Sequence, residues 1–228
     1  MSPLKVAVIG ANGKVGRLVI KELVNDPTNF ATPLAVVRSK EQQDFFQNEL
    51  KIDATLTSVE HSSVSQISDA IKGYDAVIFS AGAGGKGIER IFTVDLDGCV
   101  KAMEACEAVG IKRFILVSAI KAEDRSFWWN IESLRNYYIA KRAADHEVRS
   151  STLDYTILQP GNLTLEDSIG KFTLVKDIDE RLRTDPSITR ADVALFIKEC
   201  LKHPKETSRK TIPLLNGDRS VNDIIKNL

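Results

Sequence analysis

The chain lacks an excess of charge of either sign. Its 228 residues carry 31 Lys and Arg against 31 Asp and Glu, and the pI is close to 6.8. Proteins that track phosphates along a nucleic acid present a basic surface, and no basic run marks such a face here. We therefore predict that nucleic acid is not a partner.

Long apolar runs are also missing. The longest ones have the length of a strand, so we predict no membrane-spanning segment and no membrane partner. Residues 1–5 lead at once into an apolar strand, which leaves no room for a signal peptide. These features favour a cytoplasmic protein, which could also reach the nucleus by diffusion.

Cysteine and histidine are scarce. The cysteines are odd in number, follow no disulfide framework, and so favour a reducing compartment: Cys99, Cys106 and Cys200. The first two share a predicted helix, where both are expected to face the core. The three histidines are scattered without ligand spacing, so we predict no metal site.

What the chain has instead is a glycine-rich turn near its start. Residues 5–17 comprise an apolar strand, then Gly10, Gly13 and Gly16, and then an amphipathic helix. The glycines permit a tight turn, the approach of phosphate oxygens and close packing of the helix on the strand. Free N–H groups at the helix start favour an anion. A glycine turn can be purely structural, but the second strand at 33–37 completes a βαβ unit and favours a dinucleotide site.

Strands and helices alternate along the rest of the chain. Further strands are predicted at residues 52–56, 75–80, 113–118, 154–158 and 211–215. Helices are predicted at residues 40–49, 65–72, 96–109, 131–150 and 190–202, with a short one at the end. This order predicts an α/β fold, a doubly wound parallel sheet with helices on both faces, in a single domain over residues 1–228.

Residues 161–189 break the alternation. This stretch is polar and follows the sixth strand, and ligands of open α/β sheets bind beyond the carboxyl ends of the strands. We predict that it forms a small substrate-side cap towards the C-terminus. A surface insertion without a role is the alternative.

The end of the second strand bears on the choice of cofactor. A free 2′-hydroxyl is usually bound by an acid there, whereas a 2′-phosphate favours a base. Arg38 and Ser39 follow the strand and no acid precedes Glu41. A guanidinium can bind a phosphate through two hydrogen bonds, so we predict NADP(H) rather than NAD(H). An ordinary solvated arginine is the alternative.

Small residues follow the fourth strand. Ala81 and Gly82 begin a glycine-rich loop that allows the backbone to approach a ribose or pyrophosphate. Lys86, in the same loop, could touch a phosphate, although a solvated lysine is the simpler interpretation.

Tyr137 and Lys141 are spaced to share one face of a predicted helix. An ammonium beside a phenol is expected to lower the phenol pKa from its free value of about 10, which suits proton transfer to or from an oxygen. Tyr138 points away around the helix. Ser118 closes the fifth strand, where its hydroxyl could bind the same oxygen. Together they predict an acid–base site.

These motifs resemble those of the atypical short-chain dehydrogenase/reductases. More narrowly, the chain resembles the compact NAD(P)H-binding group that includes biliverdin reductase B (flavin reductase) and many bacterial and fungal proteins. The resemblance covers nearly the whole chain, in the family's order, at residues 10–16, 74–82, 94–98, 112–118, 137–141, 154–161 and 188–194.

The resemblance implies a role for each matching position. The pyrophosphate would be held by Gly10, Asn12, Gly13, Lys14 and Val15, the 2′-phosphate by Arg38 and Ser39, and the ribose by Ala81 and Gly82. The catalytic residues would be Ser118, Tyr137 and Lys141, and the nicotinamide pocket would be lined by Pro160, Gly161, Asn162 and Leu163.

Two positions depart from the family pattern. An acid followed by Leu is common near the adenine, and residues 53–56 take that place here. The catalytic asparagine of the superfamily is replaced by Asp95.

Two further features carry weaker predictions. The aromatic residues 127–129 could stack on a planar substrate, or could anchor a loop in the core. Asp192 is expected to cap or brace a helix start, and Arg190 to brace the sheet.

The sequence thus predicts an NADP(H)-dependent oxidoreductase that transfers hydride to a small, possibly planar substrate such as a carbonyl, flavin or quinone. A non-catalytic NADP(H) sensor and a sugar-nucleotide epimerase or dehydratase are the alternatives. The expected state is a monomer or a homodimer.

Overall fold

Seven parallel strands form the central sheet. The computed structural model of the chain describes residues 2–85 and 87–228. The strand order is β3-β2-β1-β4-β5-β6-β9. The strands are β1 Val6–Ile9, β2 Leu34–Val37, β3 Ala54–Leu56, β4 Ala76–Phe79, β5 Arg113–Val117, β6 Asp154–Pro160, β7 Asn162–Thr164, β8 Ser187–Thr189 and β9 Lys210–Leu214.

The sheet is buried on both faces. Every residue of β1, β2 and β4 is buried, as expected for apolar parallel strands between two helix layers. β1 pairs with β2 on one side and with β4 on the other, so the chain reverses its winding direction there. Such a switch point opens a crevice at the carboxyl ends of the strands.

Helices cover both faces of the sheet. They are α1 Lys14–Val24, α2 Lys40–Asp44, α3 Val64–Ile71, α4 Ile88–Arg90, α5 Asp97–Val109, α6 Arg125–Trp128, α7 Glu132–Ser150, α8 Ile178–Thr184, α9 Arg190–Lys202, α10 Pro204–Thr207 and α11 Val221–Lys226. Apolar residues of α1 and α9 share one core cluster, and those of α3, α5 and α7 share the other. The predicted α/β doubly wound fold is therefore confirmed, and Cys99 and Cys106 are buried as expected.

Two predicted helices differ in detail. The helix expected at 40–49 is α2 followed by a π-helical turn at Phe45–Glu49. The helix expected from residue 96 is α5, and the chain is already helical before it, in α4 and in a π-helical turn at Ile91–Leu96. The wider π turn is why a simple 3.6-residue pattern missed this extension.

The segment at residues 161–189 has structure of its own. Its two short strands, β7 and β8, pair in parallel outside the main sheet. The carboxylate of Asp192 ties it to α9, because it accepts hydrogen bonds from the Ser168 hydroxyl at 2.5 Å and the Gly170 N–H at 2.8 Å. This confirms that Asp192 braces the start of α9. The substrate-side role of the segment stays a prediction.

Among the described residues, no helix combines the length and the apolar character that crossing a bilayer requires.

Candidate functional site

A cavity of about 680 Å³ opens at the carboxyl ends of β1, β2 and β4. Eight of the predicted cofactor residues line it: Gly10, Asn12, Gly13, Lys14, Val15, Arg38, Ala81 and Gly82. The cavity therefore brings three sequence-distant loops together at the switch point of the sheet.

The glycines shape the floor of the cavity by close backbone contact. A Cβ atom on Gly10 would lie 2.5 Å from the Ala81 nitrogen, and Gly10 has φ +81°. A Cβ on Gly16 would lie 2.3 Å from the Gly10 oxygen, which confirms that this glycine lets α1 pack on the loop. The loops after β1 and β4 touch only because Gly10 has no side chain.

The start of α1 is suited to an anion. Gly13 precedes the helix and offers it no side-chain cap. N–H groups of the first helical turn therefore remain available to a ligand, with the positive end of the helix dipole behind them. Lys14 adds a positive charge at the same end. The arrangement fits a pyrophosphate.

The loop after β2 carries the predicted 2′-phosphate residues. Arg38 lines the cavity, and its backbone N–H donates to the Gln42 side chain at 3.2 Å. Gln42 also lines the cavity and was not predicted from the sequence. Ser39 is not among the described lining residues, and its hydroxyl oxygen caps α2 by accepting from the Gln42 N–H at 3.4 Å. A phosphate contact by Ser39 stays a prediction.

The residues that follow β3 contribute to the cavity wall. The described lining includes Thr57, Ser58, Val59 and Glu60 but none of residues 53–56. The reason is register, because β3 itself occupies Ala54–Leu56 and its carboxyl end faces the crevice only afterwards. The short polar run after the strand was the available sequence signal.

Glu60 is paired rather than free. Its carboxylate binds the Arg90 guanidinium at 3.2 Å and accepts from the Thr93 hydroxyl at 3.1 Å. Arg90 and Val94 also line the cavity, and both come from the helical path that the sequence did not predict. This wall of the cavity is therefore fixed by contacts between distant segments.

Ser118, Tyr137 and Lys141 come from adjoining elements, and none of them is among the described residues that line the cavity. Ser118 directly follows β5, and Lys141 donates to the carbonyl of the preceding Val117 at 2.9 Å. The Lys141 ammonium lies 5.9 Å from the centre of the Tyr137 ring. Helix α7 and strand β5 thus assemble the three predicted side chains.

Asp95 links this trio to the cavity. Its carboxylate accepts the Ala83 N–H at 2.8 Å and lies 3.7 Å from the Lys141 ammonium. A Cβ on Gly82 would lie 3.0 Å from the same carboxylate, so the glycine leaves room for it. The position that replaces the superfamily's asparagine therefore contacts both the loop after β4 and Lys141.

The ionisation of the trio differs from the expectation. Burial raises the pKa of Tyr137, Lys141 offsets part of that increase, and Asp95 and Asp145 add to it. The predicted lowering of the phenol pKa is therefore wrong, because one ammonium does not outweigh burial and two carboxyls. Burial acts to lower the pKa of Lys141, but Tyr137 and the two carboxyls together raise it, so the lysine stays protonated.

The predicted nicotinamide residues lie at the junction of β6 and β7. Pro160 ends β6, Asn162 and Leu163 begin β7, and Gly161 between them packs against Pro186. None of the four is among the described residues that line the cavity, so their contact with nicotinamide stays a prediction.

Arg190 connects that junction to the cavity. Its guanidinium donates to the carbonyls of Leu163 and Thr164, both at 2.9 Å, and it also lines the cavity. The expected bracing role is confirmed, and the cavity contact is an addition that the sequence did not reveal.

The aromatic residues divide between two environments. Trp128 is fully buried, donates to the Ala122 carbonyl at 3.1 Å and stacks on Tyr138 at 5.6 Å between ring centres. It anchors the loop, whereas Trp129 is 44% exposed. Tyr138 also meets the Tyr137 ring edge-on, at 5.6 Å between ring centres, but has no described contact with Lys141.

Two remaining predictions concern Lys86 and metal binding. Lys86 lies outside the described residues. Within residues 2–85 and 87–228, no group of three His, Cys, Asp or Glu side chains could hold a metal ion.

Comparisons with known proteins agree with this geometry. The chain is 60% identical over its full length to the full length of the UPF0659 protein YMR090W of Saccharomyces cerevisiae. Its fold matches a Bacillus halodurans protein provisionally described as an NAD-dependent epimerase/dehydratase, with a TM-score of 0.86, 37% identity and 99% and 100% of the two chains covered. It also matches the oxidoreductase ylbE of Lactococcus lactis, with a TM-score of 0.85, 32% identity and 99% and 96% covered.

A more distant likeness shows the fold alone. A short-chain dehydrogenase/reductase of Veillonella parvula, determined in complex with NADP, superposes with a TM-score of 0.73 at 17% identity, covering 92% of this chain and 94% of that one.

The match to a family model covers most of the chain. The model that describes NAD(P)H-binding proteins matches residues 10–204, from the first glycine of the cavity to the end of α9 and beyond. The chain belongs to this NAD(P)H-binding family, and its fold and cavity make it an NAD(P)-binding protein of the atypical short-chain dehydrogenase/reductase type.

Proposed function

We propose that this protein is an NADP(H)-dependent oxidoreductase that transfers hydride between the nicotinamide and a small organic substrate. One observation carries the proposal: Lys141 lies beside the Tyr137 ring and bonds the carbonyl next to Ser118 at the carboxyl end of β5, and Asp95 joins this lysine to the loop that lines the cavity. A protein that only bound the cofactor would need the cavity but not this trio.

The cavity supports a phosphorylated dinucleotide. The uncapped start of α1 and the glycine contacts fit the pyrophosphate, and Arg38 is the cation nearest in sequence to the end of β2. A guanidinium favours a 2′-phosphate, and no carboxylate at the strand end would repel it. The NADP complex of the Veillonella parvula neighbour is consistent with this choice.

The side chains have complementary tasks in reduction. Bound NADPH supplies a hydride to the electrophilic carbon of the substrate. Tyr137 stays protonated because its pKa is raised, so its phenol is available to give the proton that the product oxygen requires. The Lys141 ammonium beside the ring stabilises the phenolate that remains, and the Ser118 hydroxyl orients the accepting oxygen.

The test is an acceptor panel. Flavins, biliverdin, quinones and aldehydes are mixed with the protein and NADPH or NADH, and the nicotinamide absorbance is followed. We expect turnover with NADPH and a loss of about 10²–10⁴-fold in Tyr137→Phe, since that is the usual value of a positioned acid. Tyr138→Phe is the matched control, because it removes a phenol hydroxyl from the neighbouring ring, which stacks on Trp128 and has no described contact with Lys141.

Two rival functions give other results. For an NADP(H)-sensing regulator, Tyr137→Phe would bind NADPH and leave turnover of every reducible acceptor unchanged. A sugar-nucleotide epimerase is favoured by the description of the Bacillus halodurans neighbour, and it would convert a UDP-sugar without net oxidation of the cofactor. A UDP-sugar arm in the panel separates that outcome.

A further inference from the structure

Two buried polar atoms, one of them in the trio of Ser118, Tyr137 and Lys141, have no hydrogen-bond partner among the described residues. They are the Ser118 hydroxyl oxygen and one carboxylate oxygen of Asp145. Ser118 is 3% exposed and Asp145 is fully buried, so neither atom is reached by bulk water. A buried polar group left unpaired costs about 1–3 kcal/mol, so such a group in a folded protein calls for an explanation.

The two atoms are close neighbours. The Ser118 hydroxyl is near enough to Asp145 to lower its pKa, although the pair as placed falls outside hydrogen-bond geometry. The other Asp145 oxygen is already used, because it accepts from the Gln159 amide at 3.0 Å. The second Asp145 oxygen is therefore available to the Ser118 hydroxyl.

Charged groups surround Asp145 from several elements. Lys141 lies one helical turn earlier on α7, and Glu123 lies beyond Gln159, whose amide donates to it at 2.8 Å. Glu123 in turn forms an ion pair with Arg149. The Asp145 charge also helps to raise the pKa of the Cys99 thiol of α5. Two buried carboxyls, Asp95 and Asp145, thus share the single ammonium of Lys141.

We propose that Asp145 is a positioning residue whose protonation state sets the direction in which the Ser118 hydroxyl donates its hydrogen bond. An ionised Asp145 accepts the Ser118 O–H and leaves only lone pairs of Ser118 facing the substrate. A protonated Asp145 donates its own O–H to Ser118 and frees the serine proton for the substrate oxygen. The substrate-facing part of this inference rests on the proposed function.

The consequence is a preference for one direction of reaction. A carbonyl oxygen only accepts hydrogen bonds, so reduction needs the protonated state of Asp145. An alcohol donates, so oxidation is served by the ionised state. Burial raises the pKa of Asp145 to about 6, with Ser118, Lys141 and Gln159 offsetting part of the increase and Glu123 adding to it. The change of state therefore falls between weakly acidic and neutral pH.

The first experiment uses infrared difference spectra of the free protein between pH 5 and pH 8. We expect a carboxylic acid band that titrates near pH 6 and is absent in Asp145→Asn. In Ser118→Ala the band should shift and its midpoint should rise, because the hydroxyl that lowers the pKa of Asp145 is gone. Ser68→Ala removes a hydroxyl bonded to the Ala105 carbonyl elsewhere and should change neither quantity. The inference is overturned if neither the position nor the midpoint of the band changes in Ser118→Ala.

The second experiment measures kcat for NADPH oxidation with the acceptor found in the panel. The kcat of wild type should fall about tenfold from pH 5.5 to pH 8, which corresponds to one hydrogen bond to the reacting oxygen. The pH profile of Asp145→Asn should lack the inflection that this fall produces. An unchanged inflection in Asp145→Asn overturns the inference. If no acceptor is reduced, the proposed function fails, and the infrared result alone decides whether Asp145 and Ser118 are paired.

Discussion

The cofactor cavity and the polar cluster around Lys141 lie at the same edge of the sheet but are built from different groups. The cavity is shaped by backbone, since Gly10 lets the loops after β1 and β4 touch. The cluster is built from buried charged side chains, with Lys141 and Asp95 each 2% exposed. Backbone contact tolerates changes of charge but not of volume, whereas a buried ion cluster tolerates neither the loss of a charge nor the gain of one. The two regions should therefore fail in different ways when altered.

The largest effect is expected from Lys141→Met. This change leaves Asp95 and Asp145 buried without their ammonium, which should lower the free energy of unfolding by about 3–5 kcal/mol. Urea denaturation measures the loss. Adding Asp95→Asn to the same chain should recover part of it, because one of the two uncompensated carboxyls is removed. A loss below about 1 kcal/mol would mean that Lys141 does not hold the cluster together.

The pH dependence of stability provides a second test of the cluster. The folded pKa of Asp145, about 6, lies above its ordinary 3.8, so the folded state binds the extra proton between these values. Wild-type stability should consequently fall as pH rises from about 4 to about 6, by up to about 3 kcal/mol from this group. Asp145→Asn should remove that slope. The free energy of unfolding of the variant, relative to that of wild type, should therefore be higher at pH 8 than at pH 4. Parallel curves for the two proteins would contradict this assignment.

Volume should matter more than charge in the cavity. In Gly10→Ala the new methyl group would meet the Ala81 backbone at 2.5 Å, so the loops must separate. We expect calorimetry to show the NADPH Kd rising about 100-fold, or about 2.7 kcal/mol. Gly73→Ala is the matched control, because Gly73 also has a positive φ, of 86°, but no described atom lies within 4 Å of its added Cβ. Equal effects of the two changes would show that strain, and not loop contact, is responsible.

A smaller and more selective effect is expected from Arg38→Ala. Loss of the guanidinium should weaken NADPH about tenfold, or about 1.4 kcal/mol, and leave NADH binding unchanged. Lys40→Ala, two positions along, removes an exposed cation paired with Asp44 and should not discriminate between the cofactors. Equal weakening of both cofactors by Arg38→Ala would remove the basis for the NADP preference.

The parts predicted correctly from the sequence were local. Gly10, Gly13 and Gly16 lie between the end of β1 and the first turn of α1, and the residues that identify the motif are adjacent in the chain. The bounds of α9, at residues 190–202, were likewise fixed by a local pattern. The predicted first strands differ from the observed ones by a residue or two at their ends.

The parts missed were joined by long-range contacts. Arg90 lines the cavity from the end of α4, just before a π-helical turn, and is held there by an ion pair with Glu60 from a distant segment. The wrong direction for the Tyr137 pKa has the same origin. Lys141 was visible one turn away on the same helix, but the burial of the ring and the nearness of Asp95 were not.

The amino-acid sequence by itself determined the doubly wound sheet, the glycine turn after β1 and the spacing of Tyr137 and Lys141, because each depends on neighbours within a few residues. Only the tertiary structure decided which groups close the cavity wall after β3, how Asp95 joins the cavity to Lys141, and that one Asp145 oxygen has no hydrogen-bond partner among the described residues. Those relations depend on burial and on distances between segments far apart in the chain, and the packing of the helices on the sheet sets both.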